Sequence, residues 1–358
     1  MNEEEFRQTL ARLNDSILVK KTGQSSESWI AVGKLLTGST LNDVKRLLKK
    51  EHYLFSVSSE NGNVIINGSK KSDIILRIPK ISRTHLLLFI ATILTTLMAG
   101  AMMEGADLLA HPFKITKGIP FSFTLLLILG FHEFGHYYYA MKHHVDATLP
   151  YFIPAPPFLF LIGTFGAFIK IKSPIYRRDA LLQIGAAGPI AGFLVAIPAL
   201  FIGLFLSPVT NIGSDHVGII LGDSILMKIL TVIIHPGLGP NQDILLHPIA
   251  FAGWIGLLVT MLNLLPIGQL DGGHIAYAML GKKQDWIGKI AFMALIPLSF
   301  LSLNWLVWGI LILALMRTTS HPPIHDISTP LSAKNRYIGY ICLVIFILCF
   351  IPAPFQIP

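Results

Sequence analysis

Ile119-Pro120-Phe121-Ser122-Phe123-Thr124-Leu125-Leu126-Leu127-Ile128-Leu129-Gly130-Phe131-His132-Glu133-Phe134-Gly135-His136 carries an almost wholly apolar run straight into two histidines and a glutamate. A helix puts residues four apart on one face, about one turn from each other, so His132 and His136 can reach the same metal ion. Glu133 then projects beside that metal, where it can take a proton from a bound water. HExxH also arises by chance, as two surface histidines on an amphipathic helix. The apolar surroundings oppose that reading, because ionisable groups in a bilayer are costly and belong to function.

The rest of the chain fits a membrane setting. Of its 358 residues, 53% are hydrophobic and 13% charged, and mean hydropathy is +0.62; a soluble domain carries about twice that share of charge. A net charge of +8 and a pI near 9.4 would point to nucleic acid in a soluble protein. Here Lys- and Arg-rich cytoplasmic loops account for the excess, and no nucleic-acid partner is expected. Cys342 and Cys349 read as small core or lipid-facing residues, which leaves no disulfide framework and no thiolate zinc site. Met1 opens a polar, acidic stretch with no signal peptide, and the first long apolar segment begins near His85.

Residues 1–80 read as a small soluble α+β domain. Trp29 to Leu36 is strand-like, Thr40 caps a helix through Lys50, and Tyr53–Ser58 and Val64–Ile66 are strands around the hairpin signal Asn61-Gly62. Ile74 to Ile78 gives a further strand. Residues 85–354 read as a mainly α, polytopic bundle of about six to eight membrane helices with a re-entrant β-like segment. Its spans are expected at about 85–103, 119–141, 180–206, 247–267 and 337–353, with a broken pair in 287–317. Lys142, Lys170, Lys172, Arg177 and Arg178 mark the loop after the second of these as cytoplasmic. For the second and fourth main spans to run the same way, 216–234 must not cross.

A catalytic zinc takes three protein ligands and leaves a position for water. Tyr139 and Lys142 stand where a longer zincin pattern needs Gly and His, so that pattern fails. Glu104 and Asp107 fall on the opposite side, and Asp179 sits in a basic loop. Asp271 remains, in Asn263-Leu264-Leu265-Pro266-Ile267-Gly268-Gln269-Leu270-Asp271-Gly272-Gly273-His274, where an apolar helix ends in a proline break. As a plain turn residue Asp271 would leave Asn263, a second polar group two turns earlier, unexplained.

Taken together, His132–His136, Asn263-Leu264-Leu265-Pro266 and Leu270-Asp271-Gly272 resemble the site-2 protease family of intramembrane zinc metalloproteases. The likeness covers most of 119–280, the catalytic core. It is closest to the branch of the chloroplast ethylene-dependent gravitropism-deficient yellow-green proteases and their bacterial relatives. Leu149–Pro154, Gly163–Ile169 and Ala187–Gly192 carry that branch likeness. The resemblance implies His132, His136 and Asp271 as ligands of one catalytic Zn2+, Glu133 as general base, and Asn263 as the group that holds the substrate carbonyl or its oxyanion. Gly192 stands where many family members have Asn, and no inserted PDZ domain is legible.

Peptide hydrolysis in a transmembrane substrate needs water and an unwound backbone. Water is expected to enter from the cytoplasm near Lys142, His143 and His144. Gly163, Thr164, Phe165, Gly166, Ala167 and Phe168 favour extended structure, either as an edge strand that pairs with substrate or as a loop resting on the membrane. Gly185, Gly188 and Gly192 permit close packing against the HExxH helix. His321-Pro322-Pro323 and His325-Asp326 read as a solvated polar loop. Partners are then a transmembrane protein substrate and membrane lipid, and nothing in the sequence fixes an oligomeric state. With no transit-like N-terminus, a bacterial inner membrane is expected, the N-terminal domain and active-site opening facing the cytoplasm. The alternatives are a membrane zinc transporter or a non-catalytic, helix-binding relative; neither needs both Glu133 and the Asn263–Asp271 element.

Overall fold

The computed structural model describes residues 3–25, 28–48, 53–60, 62–70, 81–158, 160–211, 220–239, 241–316, 318–322, 324, 327 and 329–356. The chain divides into two compact units. One comprises Met1–Arg77 with Ile175–Arg178 and Pro323–Pro330, and the other takes the remainder.

In the first unit, α1 (Glu3–Ala11), β1 (Ile17–Ser25), β2 (Ser28–Leu35), α2 (Leu41–Leu48), β3 (Tyr53–Glu60) and β4 (Asn63–Lys70) follow in order. The four strands form one antiparallel sheet in the order β1-β2-β4-β3. Phe6, Leu10 and Leu13 recur at helical spacing and bury against Ile17, Ala31, Val44, Val57, Val64 and Ile66. Thr40 and Asp43 cap α2 reciprocally: the Asp43 backbone N–H donates to Thr40 Oγ1, and that of Thr40 to the Asp43 carboxylate. The hairpin closes as expected, with Glu60 opposite Asn63 and Gly62 at φ +75°. Neither α1 nor β1 was among the elements expected from the sequence. The strand expected at Ile74–Ile78 lies outside the described residues, as does His325-Asp326.

The second unit contains α3 (Arg83–Met103), α4 (Ile119–Lys142), β5 (Tyr151–Pro154), β6 (Thr164–Phe168), α5 (Arg178–Phe205), β7 (Val209–Asn211), β8 (Ile220–Leu221), α6 (Ile225–Ile234) and β9 (Gln242–Ile244). It ends with α7 (Pro248–Asn263), α8 (Asp271–Leu280), α9 (Gln284–Ser299), α10 (Asn304–Met316), α11 (Ala333–Cys349) and β10 (Phe355–Gln356). Among the described residues, three helices are long and apolar enough to cross a membrane: Arg83–Met103, the stretch Pro112–Lys142 that contains α4, and α5. α7 and α10 are apolar but shorter.

Side-chain contacts fix the helix directions. Phe121 stacks on Phe251, Gly256 lies against Ile128, and Asn263 reaches His132, so α4 and α7 advance together. α5 runs against both, since Gly188 and Gly192 meet His136 and His132 in reverse order. Its end returns to the start of α7, where the His247 backbone N–H donates to Ser207 Oγ at 2.8 Å. The segment between therefore begins and ends at one level. α6, with ten residues, extends about 15 Å, half a hydrocarbon core.

Candidate metal centre

His132 and His136 are buried on α4, and Asp271 opens α8, where the N-terminal end of the helix dipole favours a carboxylate. Gly272 and Gly273 let that first turn lie directly on the carbonyls of Leu264, Leu265, Ile267 and Gly268, which any Cβ would strike. The fold thereby carries Asp271 back over the end of α7. His132 Nε2 lies 3.3 Å and His136 Nε2 3.2 Å from Asp271 Oδ2, and the two imidazole nitrogens are 3.2 Å apart. Tetrahedral zinc with ligand bonds of about 2.0–2.1 Å sets its ligand atoms about 3.3–3.4 Å from each other. The three atoms thus form the face of such a tetrahedron and match a zinc site.

His136 is set for that use. Its Nδ1–H donates to the Ile184 carbonyl oxygen at 2.7 Å, which leaves the Nε2 lone pair facing the cluster. Pro189, inside α5, has no N–H for the Gly185 carbonyl and loosens the helix at this turn. Gly188 and Gly192 give more than the close helix packing expected of them. An added Cβ at Gly188 would overlap the His136 ring, and one at Gly192 would come within 3.1–3.2 Å of His132. Gly135 makes the approach from the other side, against the Ala187 carbonyl.

Asn263, the last residue of α7, brings Nδ2 to 3.2 Å from His132 Nε2. Glu133 is buried, and Ile169, just beyond β6, borders the same cavity. Glu133, the three candidate ligands, Asn263, Ala167 and Phe168 all border one cavity of about 250 Å³. β5 and β6 form a two-stranded antiparallel hairpin, with Phe152 opposite Ala167, and the second edge of β6 has no strand partner among the described residues. Gly163 (φ +73°) and Gly166 (φ +100°) turn it; Gly163 also presses on the α3 backbone at Thr95, whose hydroxyl donates to the Gly163 carbonyl at 2.6 Å. The six residues Gly163 to Phe168 thus lie on an extended hairpin rather than a structureless loop.

Three expectations change. Gly185 faces His274, Asp271 and Ile275 of α8 rather than the HExxH helix. Lys142, His143 and His144 do not line the cavity; His143 instead bonds Gln183 at 2.9 Å, and Gln183 bonds Asn335 at 2.8 Å. His321 is not solvated but buried, 2.7 Å from His274. The Ile184 carbonyl was invisible in sequence, since backbone groups leave no signature there.

Residues 120–301 match the description of peptidase family M50. The probable chloroplastic zinc metalloprotease EGY2 of Arabidopsis thaliana is 33% identical over 250 residues, 67% of this chain and 43% of that protein. EGY1 of the same plant, described in the same words, is 31% identical over 259 residues, 70% of this chain and 46% of the relative. The chain spans less than half the length of these curated relatives. No solved structure matches. Both relatives are chloroplast proteins, so they lend no support to the bacterial inner membrane expected above. This chain belongs to peptidase family M50, the site-2 protease family, on the branch of the EGY proteins.

Proposed function

We propose that this protein is an intramembrane zinc metalloprotease that hydrolyses a peptide bond in or near a transmembrane segment of another membrane protein. The observation that carries the reading is the tetrahedral-face geometry of His132, His136 and Asp271 with Glu133 in the same cavity. The expected bundle of about six to eight membrane helices belongs to this proposal, the shorter apolar helices supplying the further spans. His132, His136 and Asp271 would hold the zinc, which when bound supplies Lewis-acid activation of a water. Glu133 takes the proton of that water and delivers it to the departing amine. Asn263 donates from Nδ2 to the carbonyl oxygen as negative charge develops there; loss of one such donor costs about 10²–10³ in rate.

The free edge of β6 supports the rest. A substrate segment that leaves its helix loses its internal hydrogen bonds, and the bilayer offers no water to replace them. Strand addition to Thr164–Phe168 supplies partners, with the scissile region beside Glu133 because Ala167 and Phe168 line the same cavity. Ala167→Pro deletes one strand N–H. It is expected to abolish cleavage while zinc stays at one ion per chain; unchanged cleavage removes strand addition from the mechanism.

Metal dependence is a second check. Chelation should reduce peptide hydrolysis to background and stoichiometric zinc should restore it, whereas Asp271→Ala should neither retain zinc nor recover. The deciding assay reconstitutes the purified chain with zinc and a panel of single-span peptides. Products that form equally well after chelation would defeat the proposal.

A further inference from the structure

His274 stands one turn beyond Asp271 on α8 and borders the same cavity, yet it falls outside the three-atom cluster. Its ring is held from behind: Nδ1 lies 2.7 Å from His321 Nε2, and His321 Nδ1 lies 2.5 Å from the Pro322 carbonyl oxygen. A carbonyl only accepts, so His321 Nδ1 carries the hydrogen. Burial pushes the His321 imidazole below its usual range, which favours the neutral ring. Its Nε2 is then an acceptor, and His274 Nδ1 must be the donor. By the same rule His274 Nε2 keeps a lone pair, and it has no hydrogen-bond partner among the described residues. His321 is itself clamped. Its ring stacks on Tyr277 at 4.5 Å, and its backbone N–H donates to Gln284 Oε1 at 3.0 Å.

A cavity that receives an extended peptide must satisfy donors on both of its edges, and β6 faces only one. We infer that His274 Nε2 accepts a backbone N–H of the bound peptide, and that His321 is the positioning residue that fixes the tautomer and direction of His274. This rests on the peptidase reading above and adds to it a residue for which the sequence alone gave no role.

The test uses the full chain in detergent, in a Glu133→Gln background loaded with zinc. The probe is a synthetic single-span Leu/Ala peptide with a central Gly-Pro break, followed by fluorescence anisotropy. His274→Leu and His321→Leu should each weaken binding about three- to tenfold, the worth of one neutral hydrogen bond. His321→Gln, whose side-chain oxygen can still accept from His274 Nδ1, should bind like the parent. The double Leu variant should be no weaker than either single one, and zinc content should hold throughout. Unaltered affinity in His274→Leu overturns the inference. So do equal losses in His321→Leu and His321→Gln, additive losses in the double variant, or loss of zinc in His274→Leu. A wild-type chain that binds this peptide through His274 without cutting it would sink the peptidase reading and leave the acceptor role supported.

Discussion

Glu133→Gln is expected to lower peptide hydrolysis by at least about 10²–10⁴-fold while the chain keeps its zinc. Glutamine has the shape of glutamate, so the buried side chain keeps its packing on α4. It fills the same space, so Ala167, Phe168 and Ile169 keep their places at the cavity. His132, His136 and Asp271 lie as close to one another as before, and metal affinity should change little. What disappears is the ability to take a proton from water and return it to the amine. Rate and zinc content must be read on the same preparation: an inactive variant without metal says nothing about the base. Equal product from variant and wild type would end the proposed mechanism, and zinc flux independent of Glu133 would favour transport.

Gly188→Ala should empty the metal centre without touching a ligand. Gly188 lies so close to the His136 ring that a methyl group would overlap it, and the methyl is fixed to the α5 backbone. Parting the helices instead would open the close packing of Gly135 on the Ala187 carbonyl. The imidazole must therefore swing out, breaking its bond to Ile184 and carrying Nε2 away from Asp271. Zinc stoichiometry should fall from one toward zero, and hydrolysis with it, in a chain that still elutes as a folded species. Gly192→Ala offers the graded comparison: its Cβ would come 3.1–3.2 Å from His132, so a shift of a few tenths of an ångström relieves it. Full zinc occupancy in Gly188→Ala would show that the α4–α5 contact is looser than described.

Much of this was legible before any fold was known. The apolar run into His132-Glu133-Phe134-Gly135-His136 announces itself because a bilayer makes polar residues conspicuous, and helical spacing alone puts the two imidazoles on one face. Asp271 was reachable by elimination, since charge placement and chain direction left few carboxylates at the right depth. The N-terminal unit was read only in part. β1 escaped because a bulge between Val19 and Lys21 breaks the alternation that betrays a strand. α1 does carry a signal, Phe6, Leu10 and Leu13 at helical spacing, but Glu3, Glu4 and Glu5 in its first turn mask it as a solvated stretch.

What the tertiary structure alone decided is which groups stand behind the motif. Spacing along one helix cannot say what touches the far side of an imidazole. The Ile184 carbonyl that orients His136, the glycine surface beneath both rings, the β6 segment bordering the cavity of Glu133 and the His321 brace on His274 come from other elements. Their side chains or backbone atoms become neighbours only when the helices pack. The sequence thus determined the reactive groups, because residue chemistry and local periodicity are properties of the chain itself. Packing determined their tautomers, direction and room, because those depend on atoms as far away in sequence as His321 is from His274.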